Sequence, residues 1–112
     1  MKITEGFLAV TLILLSGATF AADSTSVHIA NECLAYGKQE MKENPDMLNT
    51  LNEASVVAET IQVNKYDRKV GSQMISTELV AEINSGEDNL GTILCLFESD
   101  SKPLYFFFDS LE

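Results

Sequence analysis

Two cysteines are the residues of this sequence whose chemistry can be inferred most directly. Cys33 lies in "NECLAYG" and Cys95 lies in "LGTILCLFES". They do not form a Cys-x-x-Cys motif, and no catalytic base is apparent beside either one. The sequence therefore favours a structural role for both thiols over a redox or nucleophilic role.

The other groups that carry chemistry are few. His28 is the only histidine, and it falls on the polar side of a predicted helix. Zinc-binding HExxH motifs, phosphate-binding glycine loops and nucleophile elbows are absent from the sequence. Glu87, Asp88 and Asn89 lack the spacing of a calcium-binding loop and are typical of a polar turn. We therefore predict no enzymatic activity, no cofactor and no metal site.

The start of the chain has the layout of a secretory signal peptide. Lys2 supplies a positive charge, residues 7–15 are mostly apolar, and small residues precede Ala21, although Glu5 is unusual in such a segment. The apolar run is shorter than the roughly 20 residues that a membrane-spanning helix needs. We predict a signal peptide at 1–21 and one small α+β domain at 22–112, periplasmic or secreted, without a stable membrane anchor after cleavage.

The acidity of the chain limits its partners. The formal net charge is −10, and removing residues 1–21 takes away one basic and one acidic residue, so this value does not change. Nucleic acids and anionic membranes attract basic surfaces, so neither is expected as a partner. The charge favours basic proteins or cations, and simple solubility is the alternative explanation.

Hydrophobic periodicity predicts two helices followed by four strands. An amphipathic helix is expected from Val27 to about Glu43, and Asn44 and Pro45 indicate the start of a shorter helix that ends near Asn52. The period then changes to two, over strands at about 55–66, 73–84, 90–99 and 104–110, with turns between them. This order predicts an α+β fold in which the helices pack on one face of a four-stranded antiparallel meander.

Alternation within the third strand explains the two cysteines. Ile93, Cys95 and Phe97 share one face, and Cys33 lies in the apolar stripe of the long helix. If that helix packs on the sheet, both thiols lie in one interface, and export places them in an oxidising compartment. We predict a Cys33–Cys95 disulfide closing a loop of roughly 60 residues, which contributes about 4 kcal/mol by loop-closure entropy.

The opposite face of the sheet carries more apolar residues than a solvated face needs. Leu94, Leu96, Tyr105 and Phe107 point to that face, where Glu78, Glu82 and Glu98 could rim them. An exposed apolar patch with a charged rim often marks an interaction site. The alternatives are that a loop or the N-terminal segment covers this face, or that the strand register is shifted by one residue.

The sequence therefore favours a small, exported, acidic binding protein with a basic protein partner, comparable in class to inhibitors and immunity proteins. One alternative is a self-associating envelope protein that forms a homodimer through its last strand. Another is a carrier of a small ligand or cation.

The predicted signal peptide gives a direct test. Peptide mapping of the exported protein should find a mature N-terminus at Ala22 or Asp23, because small residues precede both positions. Recovery of Met1 from exported material would contradict the cleavage.

Overall fold

The computed structural model describes residues 24–111, so the predicted signal peptide lies outside the described residues. It contains two α-helices, α1 (Ser24–Glu40) and α2 (Pro45–Asn52), followed by five strand segments, β1 (Ser55–Val56), β2 (Gln62–Val70), β3 (Gln73–Ser85), β4 (Asp88–Ser99) and β5 (Lys102–Ser110). Neither of these helices is long and apolar enough to cross a membrane. The predicted α+β fold, with both helices packed on an antiparallel sheet, is confirmed.

Helix α1 buries the stripe that the periodicity predicted. Its buried residues are Ile29, Ala30, Cys33, Leu34 and Gly37. The helix begins three residues before the predicted start and ends at position 40 rather than near 43. A turn at 41–43 follows, and residue 44 is extended, as expected for a residue that precedes a proline.

Helix α2 begins as the sequence predicts. Asn44 is the N-cap, and its side-chain oxygen accepts a hydrogen bond from the amide of Met47. Pro45 occupies the first helical position, where its missing N–H costs nothing. Leu51 is fully buried against the same core as α1.

The sheet is an antiparallel meander with very short turns. Strand β3 pairs with β4, and β4 pairs with β5. Two residues connect each pair of consecutive long strands, because Val70 pairs with Gln73, Ser85 with Asp88, and Ser99 with Lys102. In the first two of these turns, Gly71 and Gly86 occupy the first position with the positive φ typical of two-residue hairpins.

The predicted first strand is divided into two segments. Strand β1 pairs with the end of β3, a short 3₁₀ helix at Ala58–Thr60 follows, and β2 pairs with the rest of β3. Since β4 occupies the other side of β3, β1 and β2 share one edge, and the sheet is four strands wide. The Thr60 hydroxyl accepts a hydrogen bond from the amide of Glu82 and donates one to the carbonyl of Val57, so it bridges the interruption.

Strand β2 continues through a segment that the sequence predicted as a turn, "DRKVGS". Only Gly71 and Ser72 form the turn, and the preceding residues stay paired with β3. A register shift between Lys65 and Arg68 makes this possible, and Asp67 there has a φ of 50°. Such a bulge adds one residue to the strand and then resumes the ladder.

The core lies between α1 and the inner face of the sheet, and the predicted disulfide crosses it. Cys33 and Cys95 are bonded, with Cα atoms 5.8 Å apart, and both are fully buried. Ile93 and Phe97, on the same face of β4 as Cys95, are also completely buried. The predicted pairing and the parity of β4 are therefore confirmed.

Helix α1 also lies close against the edge strand β5. A Cβ atom at Gly37 would collide with the ring of Phe106, so a glycine allows this close approach. The Tyr36 hydroxyl donates a hydrogen bond of 3.2 Å to the carbonyl of Leu104. Burial, and secondarily the Glu40 carboxylate, raises the pKa of Tyr36, so the hydroxyl keeps its proton and its donor role.

The disulfide should contribute a large part of the stability. Replacing both cysteines with serine should lower the free energy of unfolding by about 4 kcal/mol, because the open chain gains entropy over the loop between them. Urea titration of wild type and variant measures the difference. Reductant should destabilise the wild type and leave the variant unchanged, and equal midpoints for both proteins would contradict the prediction.

Candidate functional site

The register places the four predicted apolar residues next to each other on the outer face of the sheet. Leu94 pairs with Phe107, and Leu96 pairs with Tyr105. On the other side of β4, Val80 pairs with Leu94. Since Cys95 faces the helix, its neighbours in the strand face away from it. We call Leu94, Leu96, Tyr105 and Phe107 the outer-face patch.

The two aromatic side chains of the patch are open to solvent. Tyr105 is 50% exposed and Phe107 is 49% exposed, whereas Phe106 between them is only 8% exposed. Leu94 and Leu96 are half-buried because their neighbours on β3 and β5 flank them. Within residues 24–111, no helix or loop covers this face, so the aromatic rings are available to a partner.

Two of the three predicted rim carboxylates keep their negative charge available. Glu78 lies beside Leu96 on β3 and accepts a hydrogen bond of 2.9 Å from the amide of Asn64. Glu82 accepts one of 3.0 Å from the amide of Asn89. Both donors are neutral, so these bonds orient the carboxylates without cancelling their charge. Asp109 follows in the same row as Glu82, two residues beyond Phe107.

The third rim residue is already paired within the chain. The Lys102 ammonium lies 3.0 Å from a carboxylate oxygen of Glu98. The hydrogen bond from Lys102, followed by one from Gln73, holds the pKa of Glu98 below its usual value. Glu98 therefore adds less to the negative field over the patch than Glu78 and Glu82 do.

The β2 edge of the sheet is poorly suited to the addition of another strand. At the β5 edge, the Tyr36 hydroxyl occupies one backbone acceptor, the carbonyl of Leu104. The other edge, β2, carries the bulge and the charged residues Lys65, Arg68 and Lys69. Bulges and edge lysines are devices that discourage the addition of another strand. Extension of the sheet at β2 is therefore less favourable for a partner than packing on the outer face.

The sequence pattern does not predict the basic surface at the end of the β2–β3 hairpin, because it indicates a turn over that segment. Lys65, Tyr66 and Arg68 line a shallow pocket of about 300 Å³ there. Tyr66 is 46% exposed and Val70 is 66% exposed. The available signal was a run of basic and β-forming residues that continues to the first glycine.

A second feature without a sequence prediction is an open cleft of about 490 Å³ beside α2. Its walls are the first turns of α2, the start of β4 and the end of β5, with lining residues Asp46, Met47, Thr50, Asn89, Leu90, Phe108, Ser110 and Leu111. Its size falls within the range of small-molecule sites, and its lining mixes polar and apolar side chains. Within residues 24–111, no group of three or more histidine, cysteine, aspartate or glutamate residues is arranged to hold a metal ion.

Comparisons with protein families, curated proteins and solved structures find no match to this chain. The functional argument therefore depends on the surfaces described above.

Alternation along β5 gives a matched mutational test of the patch. Replacing Tyr105 and Phe107 together with serine should lower the free energy of unfolding by about 1.5–3 kcal/mol in total, because each ring is already half in water and forfeits only about half of the value of full burial. The control, Phe106→Ser on the same strand, should lose about 3 kcal/mol or more through a core cavity. Thermal and urea unfolding measure both. A loss per ring in the double variant as large as that of Phe106→Ser would place all three rings in the core.

Proposed function

We propose that this protein is an exported, non-enzymatic binding protein whose outer face docks on a basic protein partner. The observation that carries the proposal is the pair of half-exposed rings, Tyr105 and Phe107, beside the uncompensated carboxylates of Glu78 and Glu82. The buried disulfide supports an oxidising compartment, which is where such bonds persist. The protein would bind its partner through these surface groups and would not catalyse a reaction on it.

Aromatic side chains supply the affinity in this proposal. Large rings are typical anchors of protein interfaces, since each buries much apolar area with little loss of side-chain freedom. Fully burying one large apolar side chain is worth about 1.5–3 kcal/mol. Leu94 and Leu96 lie beside the rings and would form the floor of the contact. Loss of both rings should therefore remove most of the binding free energy.

The carboxylates supply steering and selectivity. A negative surface raises the association rate of a basic partner and repels acidic ones. This attraction falls as salt is added, because the Debye length shortens from about 10 Å at 0.1 M to about 3 Å at 1 M. The net charge of −10 extends the same field over the whole domain. Partner capture should therefore be strongest at low ionic strength.

The test uses the purified protein as bait in an envelope extract at low and high salt. The captured protein is identified by mass spectrometry, purified, and titrated against wild type and variants. Tyr105→Ser with Phe107→Ser should weaken binding by about 100-fold or more, as expected for two interface anchors. Glu78→Gln with Glu82→Gln should weaken it by roughly tenfold, mainly through a slower association rate.

A matched charge control separates the rim from the overall acidity. Glu43→Gln with Glu53→Gln removes the same two charges at exposed positions outside the sheet. This control should bind like the wild type at physiological salt. A captured partner that binds the ring variant as well as the wild type would refute the outer face as its site.

A further inference from the structure

The basic hairpin end, residues 65–74, has a chemistry opposite to that of the rest of the domain. Three of the six basic residues in the described part of the chain, Lys65, Arg68 and Lys69, lie in its first five positions. Three exposed large apolar side chains, Tyr66, Val70 and Met74, lie in the same segment. The hairpin end therefore combines positive charge with aromatic and aliphatic surface.

The two outermost cations of the hairpin end have no internal partner. Within residues 24–111, neither Arg68 nor Lys69 forms an ion pair with a carboxylate. Lys65 lies 3.8 Å from Asp100, but both side chains are more than half exposed and the pair is readily exchanged. Arg68 and Lys69 are thus free to contact an acidic surface outside the chain.

The outer-face patch, with its rim carboxylates, is an acidic surface of the same chain that is complementary in charge to Arg68 and Lys69. We propose that the basic hairpin end of one copy docks on the outer-face patch of a second copy. The inference rests on the proposed function, in that it uses the same outer face, and it names the basic partner as the protein itself. Each surface combines exposed apolar side chains with charged neighbours, and the signs of those charges are opposite.

The dimensions of the two surfaces are compatible. Neighbouring strands lie about 4.8 Å apart, so the patch and its rim span about 10 Å across β3, β4 and β5, and a two-stranded hairpin end is about half as wide. Arg68 and Val70 share one face of β2, so Val70 would pack on Tyr105 and Phe107 while Arg68 reaches the rim carboxylates or lies over the rings, where cations are also attracted. Lys69 pairs with Met74 on the opposite face of β2 and would add to the positive field around the contact.

Overall repulsion between two acidic copies does not prevent this contact. At physiological ionic strength the Debye length is about 8 Å, so charges on distant parts of two domains are largely screened. Charges that meet in the contact are closer than this and partly desolvated. The arrangement of charge at the two surfaces therefore decides the interaction, rather than the net charge of −10.

Complementation between two variants tests the proposal. The patch variant, Tyr105→Ser with Phe107→Ser, retains a working hairpin end, and the hairpin variant, Arg68→Glu with Lys69→Glu, retains a working patch. Sedimentation equilibrium at physiological salt, with circular dichroism to verify folding, should show a mean mass that rises with concentration for the wild type. Each variant alone should remain monomeric, and an equimolar mixture should form a one-to-one complex.

A charge-matched control and three outcomes complete the test. Lys38→Glu with Lys42→Glu makes the same change in net charge on and after α1, and it should assemble like the wild type. The inference is overturned if the wild type is monomeric throughout, if the mixture of variants fails to associate, or if the hairpin variant assembles alone. A monomeric wild type whose ring variant loses a different basic partner would leave the proposed function in place.

Discussion

The contact between α1 and the inner face of the sheet is the constraint from which the remaining features follow. It brings Cys33 and Cys95 together in a core that excludes water from both sulfur atoms. A domain of this size buries a modest fraction of its surface, so a covalent link across the main interface has a large effect on its stability. Because α1 covers one face of β4 and β5, strand alternation leaves the neighbouring side chains on the other face. The same packing that makes the core therefore creates the outer-face patch.

Charge is distributed unevenly over this scaffold. Glu78 and Glu82 are held by neutral amides, so their hydrogen-bonding needs are met while their charge persists. Glu98 has a lysine partner, which lowers its pKa and reduces its influence on other molecules. The basic residues concentrate at one end of the β2–β3 hairpin. The domain therefore has two distinct surfaces of opposite charge, each with apolar side chains. The acidic surface lies towards the β5 edge of the sheet, and the basic surface lies at the β2 edge.

Much of the fold was accessible from sequence because local and long-range signals agree. The stripe around Cys33 and the alternation around Cys95 predict one interface, and the predicted export gives a reason to expect the bond. The outer-face residues followed from the same parity argument, but their role cannot be deduced from it, since exposure does not name a partner. The sequence does not predict the basic hairpin end, and the reason is physical. Asp67 sits at a bulge, and a polar residue that tolerates a positive φ resembles the start of a turn when tertiary pairing is unknown.

The number of thiols has a consequence for how the chain reaches this structure. The three two-residue turns make the contacts of the meander local, so the sheet can assemble early. Helix α1 must then pack on this sheet, and its Cys33 lies 62 residues from Cys95 in the sequence. With only two cysteines, a single chain has one possible intramolecular bond and no isomers to rearrange. Oxidation of a single chain therefore requires no disulfide isomerisation. The competing reaction is a disulfide between two chains, and its rate rises with protein concentration. Correct oxidation therefore requires α1 to dock on its own sheet before Cys33 or Cys95 reacts with a second chain.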